Sequence, residues 1–195
     1  MKTIAITGGI GSGKTVVSDI MRASGYPVYD SDTEAKVLTS ASPRIKKGLV
    51  ELFGEEIYCG GVLDRKMLAR HLFSDAGCRA RVNAIIHPVV FSDFRRWREA
   101  QKKETVFLES AILFESGFNT LADEIWCVTA PVEVRVARVM KRNGMTRSQV
   151  EERISTQLPD EVIRQKSTHV IVNDGKVSVL SQLERYFFAD GLQKL

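Results

Sequence analysis

The 195-residue chain has only three cysteines, Cys59, Cys78 and Cys127. They are odd in number and none is spaced C-x-x-C, which excludes a disulfide scaffold and a cysteine zinc site. No apolar run approaches the roughly 20 residues a membrane-crossing helix needs, so no membrane partner is expected. The opening apolar stretch Ile4-Ala5-Ile6 turns at once into glycines, too short for a secretory signal. With the cysteine usage, that points to the cytoplasm. Internal repeats, low-complexity segments and long lysine or arginine blocks are also missing. What is there is ordinary: 44% hydrophobic and 27% charged residues, a composition that argues against disorder. At this length one compact domain, or one with a modest insertion, buries about 70% of its unfolded surface and needs no metal or disulfide to fold.

A net charge of +4 is compatible with nucleic acid, a membrane surface or an anionic metabolite. The basic patches Arg44-Ile45-Lys46-Lys47 and Arg95-Arg96-Trp97-Arg98 read as solvated helix faces. Apart from Trp97 they carry no aromatic residue, too little for a base-stacking platform, so no nucleic-acid partner is expected. No His/Cys/carboxylate cluster is spaced for zinc, and no serine or cysteine elbow is present. His71, in an amphipathic helix, is expected at the surface or the edge of the core, and His169 as a structural residue starting a strand. His87 precedes Pro88 at a helix junction, where backbone geometry accounts for the proline and not for the histidine.

Short apolar strands alternate with helices, the signature of a parallel α/β sheet. Strands are predicted at Lys2–Thr7, Tyr26–Asp30, Thr105–Glu109, Glu124–Thr129 and Thr168–Val172. Helices are predicted from Lys14 to about Ser24, from Pro131 to about Asn143, from the Thr146/Gln149 capping box to about Gln157, and over Val177–Phe188. Asp32 to Lys103 reads as almost wholly helical: one helix carries Leu49, Leu52 and Phe53. Another, capped by Asp64, carries Met67, Leu68, Leu72 and Phe73, and a long basic helix opens at Pro88. So many helices between two strands indicate an inserted helical subdomain.

Gly8-Gly9-Ile10-Gly11-Ser12-Gly13-Lys14-Thr15 matches G-x-x-x-x-G-K-S/T in full, between a strand and a helix as that motif requires. Its glycines let the backbone approach phosphate oxygens closely, and the following helix adds its positive dipole end. Lys14 supplies an ammonium for the β- and γ-phosphates and Thr15 a hydroxyl for Mg²⁺. No N-K-x-D guanine-reading motif is present. Val106-Phe107-Leu108 ends in Glu109-Ser110, not in the Asp-Glu pair usual in helicases and transporters. A small-metabolite kinase fits the short chain best; a non-enzymatic nucleotide-binding regulator is the alternative of another class.

Such a kinase must orient an acceptor hydroxyl. Asp30 and Asp32, two apart at the carboxyl end of a strand, would project to one side in extended chain. Ser31 and Glu34 equally form an S-x-x-E capping box, a purely structural role. Arg135, Arg138 and Arg142 fall on one helix face, with Val132, Val136, Val139 and Met140 largely on another. Arginine forks suit phosphate better than a merely solvated face needs, and Arg142, beside Gly144, is the first candidate for a lid arginine.

These residues together resemble the dephospho-CoA kinase family, nearly end to end. Thr7–Thr15 is similar to its T-G-G-I-G-S-G-K-S/T loop, Tyr29-Asp30-Ser31-Asp32 to V-I-D-A-D, and Phe53-Gly54 to its F-G step. Leu63-Asp64-Arg65 with Leu68 and Phe73 resembles L-D-R…L…F, and His87-Pro88 its H-P pair. Ile112-Leu113-Phe114-Glu115 resembles L-L-F-E. Arg142, Arg153 and Gln157 match R-D-G…R-I…Q, and Ile171-Val172-Asn173 its late I-x-N strand. Glu109-Ser110-Ala111 departs from the usual D-V-P, and Asn143 stands where aspartate is common.

The resemblance implies a P-loop kinase fold: a five-stranded parallel sheet flanked by helices. Its core would span about 1–31, 104–135 and 168–195, with a helical substrate-binding insertion at about 32–103 and a helical lid at about 136–160. It implies transfer of phosphate from ATP to the ribose 3′-hydroxyl of dephospho-CoA, the final step of coenzyme A synthesis. Asp32, Lys14 and Arg142 would be catalytic. ATP would be held by Gly9, Gly11, Ser12, Gly13, Lys14, Thr15, Val16, Arg138 and Asn173. The acceptor would meet Thr7, Asp32, Arg65, His87, Glu109 and Phe114. Mg²⁺ would sit on Thr15, with Asp32 as a second candidate ligand. No other cofactor and no obligate protein partner are expected.

Overall fold

The computed structural model describes residues 1–74 and 76–189, the side chains of 73–76 and 187–189 aside. Phe73, expected on an apolar helix face, and residues 190–195 of the expected core segment therefore lie outside what is described. The chain divides into two compact units: Met1–Tyr29 together with the chain from Gln101 onward, and Asp30–Ala100.

The first unit holds β1 (Lys2–Thr7), α1 (Lys14–Ala23) and most of β2 (Val28–Asp30). The second holds α2 (Ser31–Ala41), α3 (Pro43–Phe53), the short strands β3 (Tyr58–Cys59) and β4 (Val62–Leu63), α4 (Arg65–Ser74) and α5 (Ala76–Glu99). The first then resumes with β5 (Thr105–Glu109), β6 (Glu124–Thr129), α6 (Val132–Asn143), α7 (Arg147–Ser155), α8 (Asp160–Gln165), β7 (His169–Val172) and α9 (Val179–Ala189).

Five strands form a parallel sheet in the order β2-β5-β1-β6-β7. From Thr3 onward every residue of β1, and every residue of β5, is buried, because helices cover both faces of such a sheet. Ile4, Ile6, Phe107, Trp126, Val128 and Ile171 join Val17 and Met21, one turn apart on α1, in its main core. The second strand begins at Val28, two residues later than predicted. The Tyr26 amide donates to Met21 O beyond the end of α1, and Pro27 has no amide to give a ladder. Pro131 is the N-cap of α6 and lies just outside the first turn. The capping box at Thr146 and Gln149 is present in both directions, and Gly144 at φ 64° ends α6.

In the second unit Ile45, Leu49, Ile57, Leu68 and Val82 pack into a core of their own. Asp64 caps α4 as expected, its Oδ1 accepting from the Lys66 and Met67 amides at 2.9 Å. Two expectations are corrected. Residues 32–103 are not almost wholly helical: β3 and β4 form an antiparallel hairpin turning at Gly60 and Gly61, both with positive φ. Pro88 does not open a helix but lies inside the 24-residue α5. The apolar stripe Val82, Ile85, Ile86 and Val89 runs unbroken past it onto one core, and that burial outweighs the backbone hydrogen bond the proline gives up.

Candidate active site

The glycine-rich segment joins β1 to α1 as expected, with Gly13 as the left-handed N-cap of α1 at φ 98°. Side chains tie down its main chain from behind. Arg135 Nε donates to Ile10 O at 2.9 Å, and Asn173 Nδ2 donates to Ser12 O at 3.0 Å. Arg138 Nη1 donates to Asn173 O at 2.9 Å and reaches Ser12 O at 3.5 Å. In a planar trans peptide the N–H lies opposite the preceding C=O. Holding the Ile10 and Ser12 carbonyls therefore aims the Gly11 and Gly13 amides away from those side chains. That alternation is what a loop needs to gather its donors around an anion. Gly13 must be glycine for a second reason: a Cβ there would overlap Asn173 Nδ2.

Lys14 Nζ lies along the loop, donating to Gly8 O at 2.9 Å. Thr15 Oγ1 donates to Glu109 Oε1 at 3.1 Å, and Glu109 is 5% exposed at the end of β5. A hydroxyl beside a buried carboxylate is a hard-oxygen pair, which fits Mg²⁺ and not a soft metal. Among the described residues no group of three or more His, Cys, Asp or Glu could hold a metal. A cation here would take its remaining ligands from phosphate and water. Thr7 is buried at the end of β1 in register with Cys127, whose thiol burial pushes up to about 11, with Asp160 adding to the rise. Cys127 stays protonated at neutral pH and is no nucleophile.

The predicted arginine face is corrected. The buried side of α6 is Arg135, Val136 and Val139, whereas Val132 and Met140 are exposed. Arg135 forms an ion pair with Asp160, and Arg142 is exposed at the last turn with Nε donating to Asn143 Oδ1 at 2.9 Å. Val16 is exposed on the first turn of α1, and Phe114 lies under the Lys166 ammonium, 5.5 Å from its ring centroid. Sequence reasoning gave no role to Gln157 Oε1, which accepts from the Ile10 amide at 2.8 Å, or to Asp160. Gln157 carried a signal only as part of a family pattern.

In the second unit Asp32 is half-buried in the first turn of α2. The predicted Ser31/Glu34 capping box is replaced by Asp30, whose Oδ1 accepts from the Asp32 and Thr33 amides at 3.1 Å. Extended φ at Asp30 followed by helical turn means that Asp30 and Asp32 do not project as neighbours on one strand face. Arg65 opens α4 with Nη2 donating to Ser40 Oγ at 3.2 Å. His87 lies mid-helix in α5, half-buried, and burial lowers its pKa from the ordinary value.

The profile of the family described as Dephospho-CoA kinase matches residues 2–178. The chain belongs to the dephospho-CoA kinase family. A dephospho-CoA kinase of Bacteroides fragilis is 42% identical over 181 residues, covering 92% of this chain and 88% of that one. A crystal structure from Thermus thermophilus superposes with a TM-score of 0.87 at 36% identity, covering 97% of each chain. A shikimate kinase from Acinetobacter baumannii, at TM-score 0.56 and 17% identity, shares the fold over 98% of this chain and 94% of its own. Membership of the dephospho-CoA kinase family makes this chain a phosphotransferase that uses a nucleotide. Among the described residues no helix is long and apolar enough to cross a membrane.

Proposed function

We propose that the chain transfers the γ-phosphoryl group of ATP to the ribose 3′-hydroxyl of dephospho-CoA, giving CoA and ADP, the final step of coenzyme A synthesis. The observation carrying this is the Gly8–Thr15 loop with its carbonyls held from behind, in a chain whose family match spans residues 2–178. The loop amides, the N-terminus of α1 and Lys14 bind the phosphate chain and offset the charge spread over the transferred group. Gly9, Gly11, Ser12, Gly13 and Val16 contribute main chain. Arg138 and Asn173 act on the nucleotide through the Ser12 peptide they hold.

Mg²⁺ would be held by Thr15, with Glu109 or Asp32 as its carboxylate, and would neutralise charge on the β- and γ-phosphates. Asp32 orients the acceptor hydroxyl. A carboxylate with a reference pKa of about 3.9 is a weak base for an alcohol, so its part is positioning. A loose phosphoryl transfer tolerates late loss of the proton, so positioning suffices. Thr7, Arg65, His87 and Phe114 are assigned to the acceptor. Arg142 is assigned to the transferred phosphate, from a lid over about 136–160 that excludes water. Three free thiols support a reducing, cytoplasmic location.

ADP release from ATP and Mg²⁺ is measured with dephospho-CoA, adenosine, AMP and shikimate as acceptors. Turnover is expected with dephospho-CoA alone; appreciable turnover only with another acceptor overturns the assignment. Asp32→Asn is expected to lower kcat by about 100-fold or more with ATP binding retained. A near-normal kcat would leave Asp32 as a helix-terminus residue only.

A further inference from the structure

Ile10, at the middle of the phosphate loop, is gripped on both sides by one short stretch of chain and its ion-pair partner. Its N–H donates to Gln157 Oε1 at 2.8 Å, and its C=O accepts from Arg135 Nε at 2.9 Å. Arg135 is 1% exposed and its Nη1 pairs with Asp160 Oδ2, three residues beyond Gln157. Gln157 Nε2 in turn reaches Ala111 O at 3.4 Å, and the Leu158 amide donates to Glu115 Oε1 at 3.1 Å, so the stretch is itself anchored. The Arg135 guanidinium also forms the floor under the loop, since a Cβ on Gly9 would overlap it.

We propose that Gln157 and the Arg135–Asp160 pair are positioning residues for phosphoryl transfer, setting the orientation of two consecutive loop peptides through Ile10. Gln157 fixes the Gly9–Ile10 peptide and Arg135 the Ile10–Gly11 peptide. Because peptides are planar, the second grip decides where the Gly11 amide points. A buried guanidinium without its carboxylate would be costly, so Asp160 keeps Arg135 in place and acts on the loop at one remove. The Ile10 side chain adds a third tie, packing on the Val136, Val139 and Val150 cluster between α6 and α7. The stretch following α7 therefore communicates with the phosphate loop through hydrogen bonds and not through packing alone.

The inference rests on Gly8–Thr15 being the nucleotide's phosphate site and not on the identity of the acceptor. Its test uses the full chain with ADP as the probe. Gln157→Leu keeps the volume and removes the acceptor oxygen; Gln157→Glu keeps an acceptor at the same reach. In Gln157→Leu the Ile10 amide is expected to exchange with solvent at least about 10-fold faster, and ADP to bind about 10-fold more weakly. The melting temperature stays within a few degrees of the parent, and Gln157→Glu retains the protection of Ile10. Asp160→Asn also weakens ADP binding. In the double variant Gln157→Leu/Asp160→Asn the loss is less than the product of the two, because both act on one residue's peptides. Unchanged exchange with ADP affinity within twofold of the parent overturns the proposal. So does a loss of affinity matched by collapse of the melting temperature, which would mark Gln157 as scaffold. Absence of turnover with dephospho-CoA touches neither readout and counts only against the acceptor.

Discussion

Two glycine turns in this chain share a backbone conformation and owe it to opposite causes. In the phosphate loop Gly11 and Gly13 have φ of 79° and 98°; in the β3–β4 hairpin Gly60 and Gly61 have φ of 57° and 82°. A Cβ at Gly11 would stand 2.6 Å from Arg135 O, and one at Gly13 would overlap the Asn173 amide, whereas nothing lies within 4 Å of a Cβ at Gly60 or Gly61. The loop is glycine-rich because neighbouring main chain and side chains crowd it from behind while its front must stay open to an anion. The hairpin is glycine-rich only because a two-residue turn between twisted strands needs positive φ. Positive-φ glycine therefore marks function only where the space behind it is filled.

Gly13→Ala tests the crowded case and carries the largest expected effect. The added methyl meets Asn173, breaks its bond to the Ser12 carbonyl and releases the Gly13 amide. Titration with ADP should show binding weakened by about 100-fold or more, close to 3 kcal/mol. The pair Gly13→Ala/Asn173→Ala separates contact from conformation: removing the obstructing amide should return no more than part of the affinity, because the φ penalty remains. Full recovery would mean that collision alone required glycine. Gly61→Ala tests the open case. It should lower stability by about 1 kcal/mol, read by thermal unfolding, and leave kcat and KM unchanged. An effect on activity comparable to that of Gly13→Ala would end the contrast.

The same contrast decides what could be read from the sequence. The strand, glycine loop and first helix were legible because their logic is contiguous: eight residues state both the motif and its setting. Thr146 with Gln149 and the stop at Gly144 were legible for the same reason, each being settled within one turn. The clamp on Ile10 was not, because its bonds join residues 125 and 147 positions apart. Nothing local distinguishes Arg135, turned inward, from Arg142, turned outward on the same helix. The hairpin escaped because strands of two residues are too short to show alternation. Pro88 misled because a local rule lost to an apolar stripe of four residues packed on the core. Near Asp32 the expected pairing of Asp30 and Asp32 on one strand face failed, because which residue capped α2 depended on where the helix began, and a one-residue shift moved the task from Ser31 to Asp30.

The smallest expected effect concerns pH and belongs to the second unit. Burial lowers the pKa of His87 from its ordinary 6.5, so its ring is neutral in the folded chain at pH 7. The unfolded chain takes up a proton near pH 6.5, and the folded chain only at lower pH. Between those points the unfolded state holds more protons, so stability falls as pH drops through 6.5 and is unaffected above it. Solvent reaches part of the ring and screens the effect, so the fall in melting temperature between pH 7.5 and 5.5 is small. His87→Gln keeps a polar side chain of similar reach and removes the titration. Its melting temperature should therefore change less over that interval than the parent's, with the two curves parallel above pH 7. Equal slopes from pH 7.5 to 5.5 would show that the half-buried ring is as well solvated as a free histidine. The acid sensitivity of the second unit would then lie in groups other than His87, leaving its mid-helix position beside Pro88 to be explained by packing or by the acceptor alone.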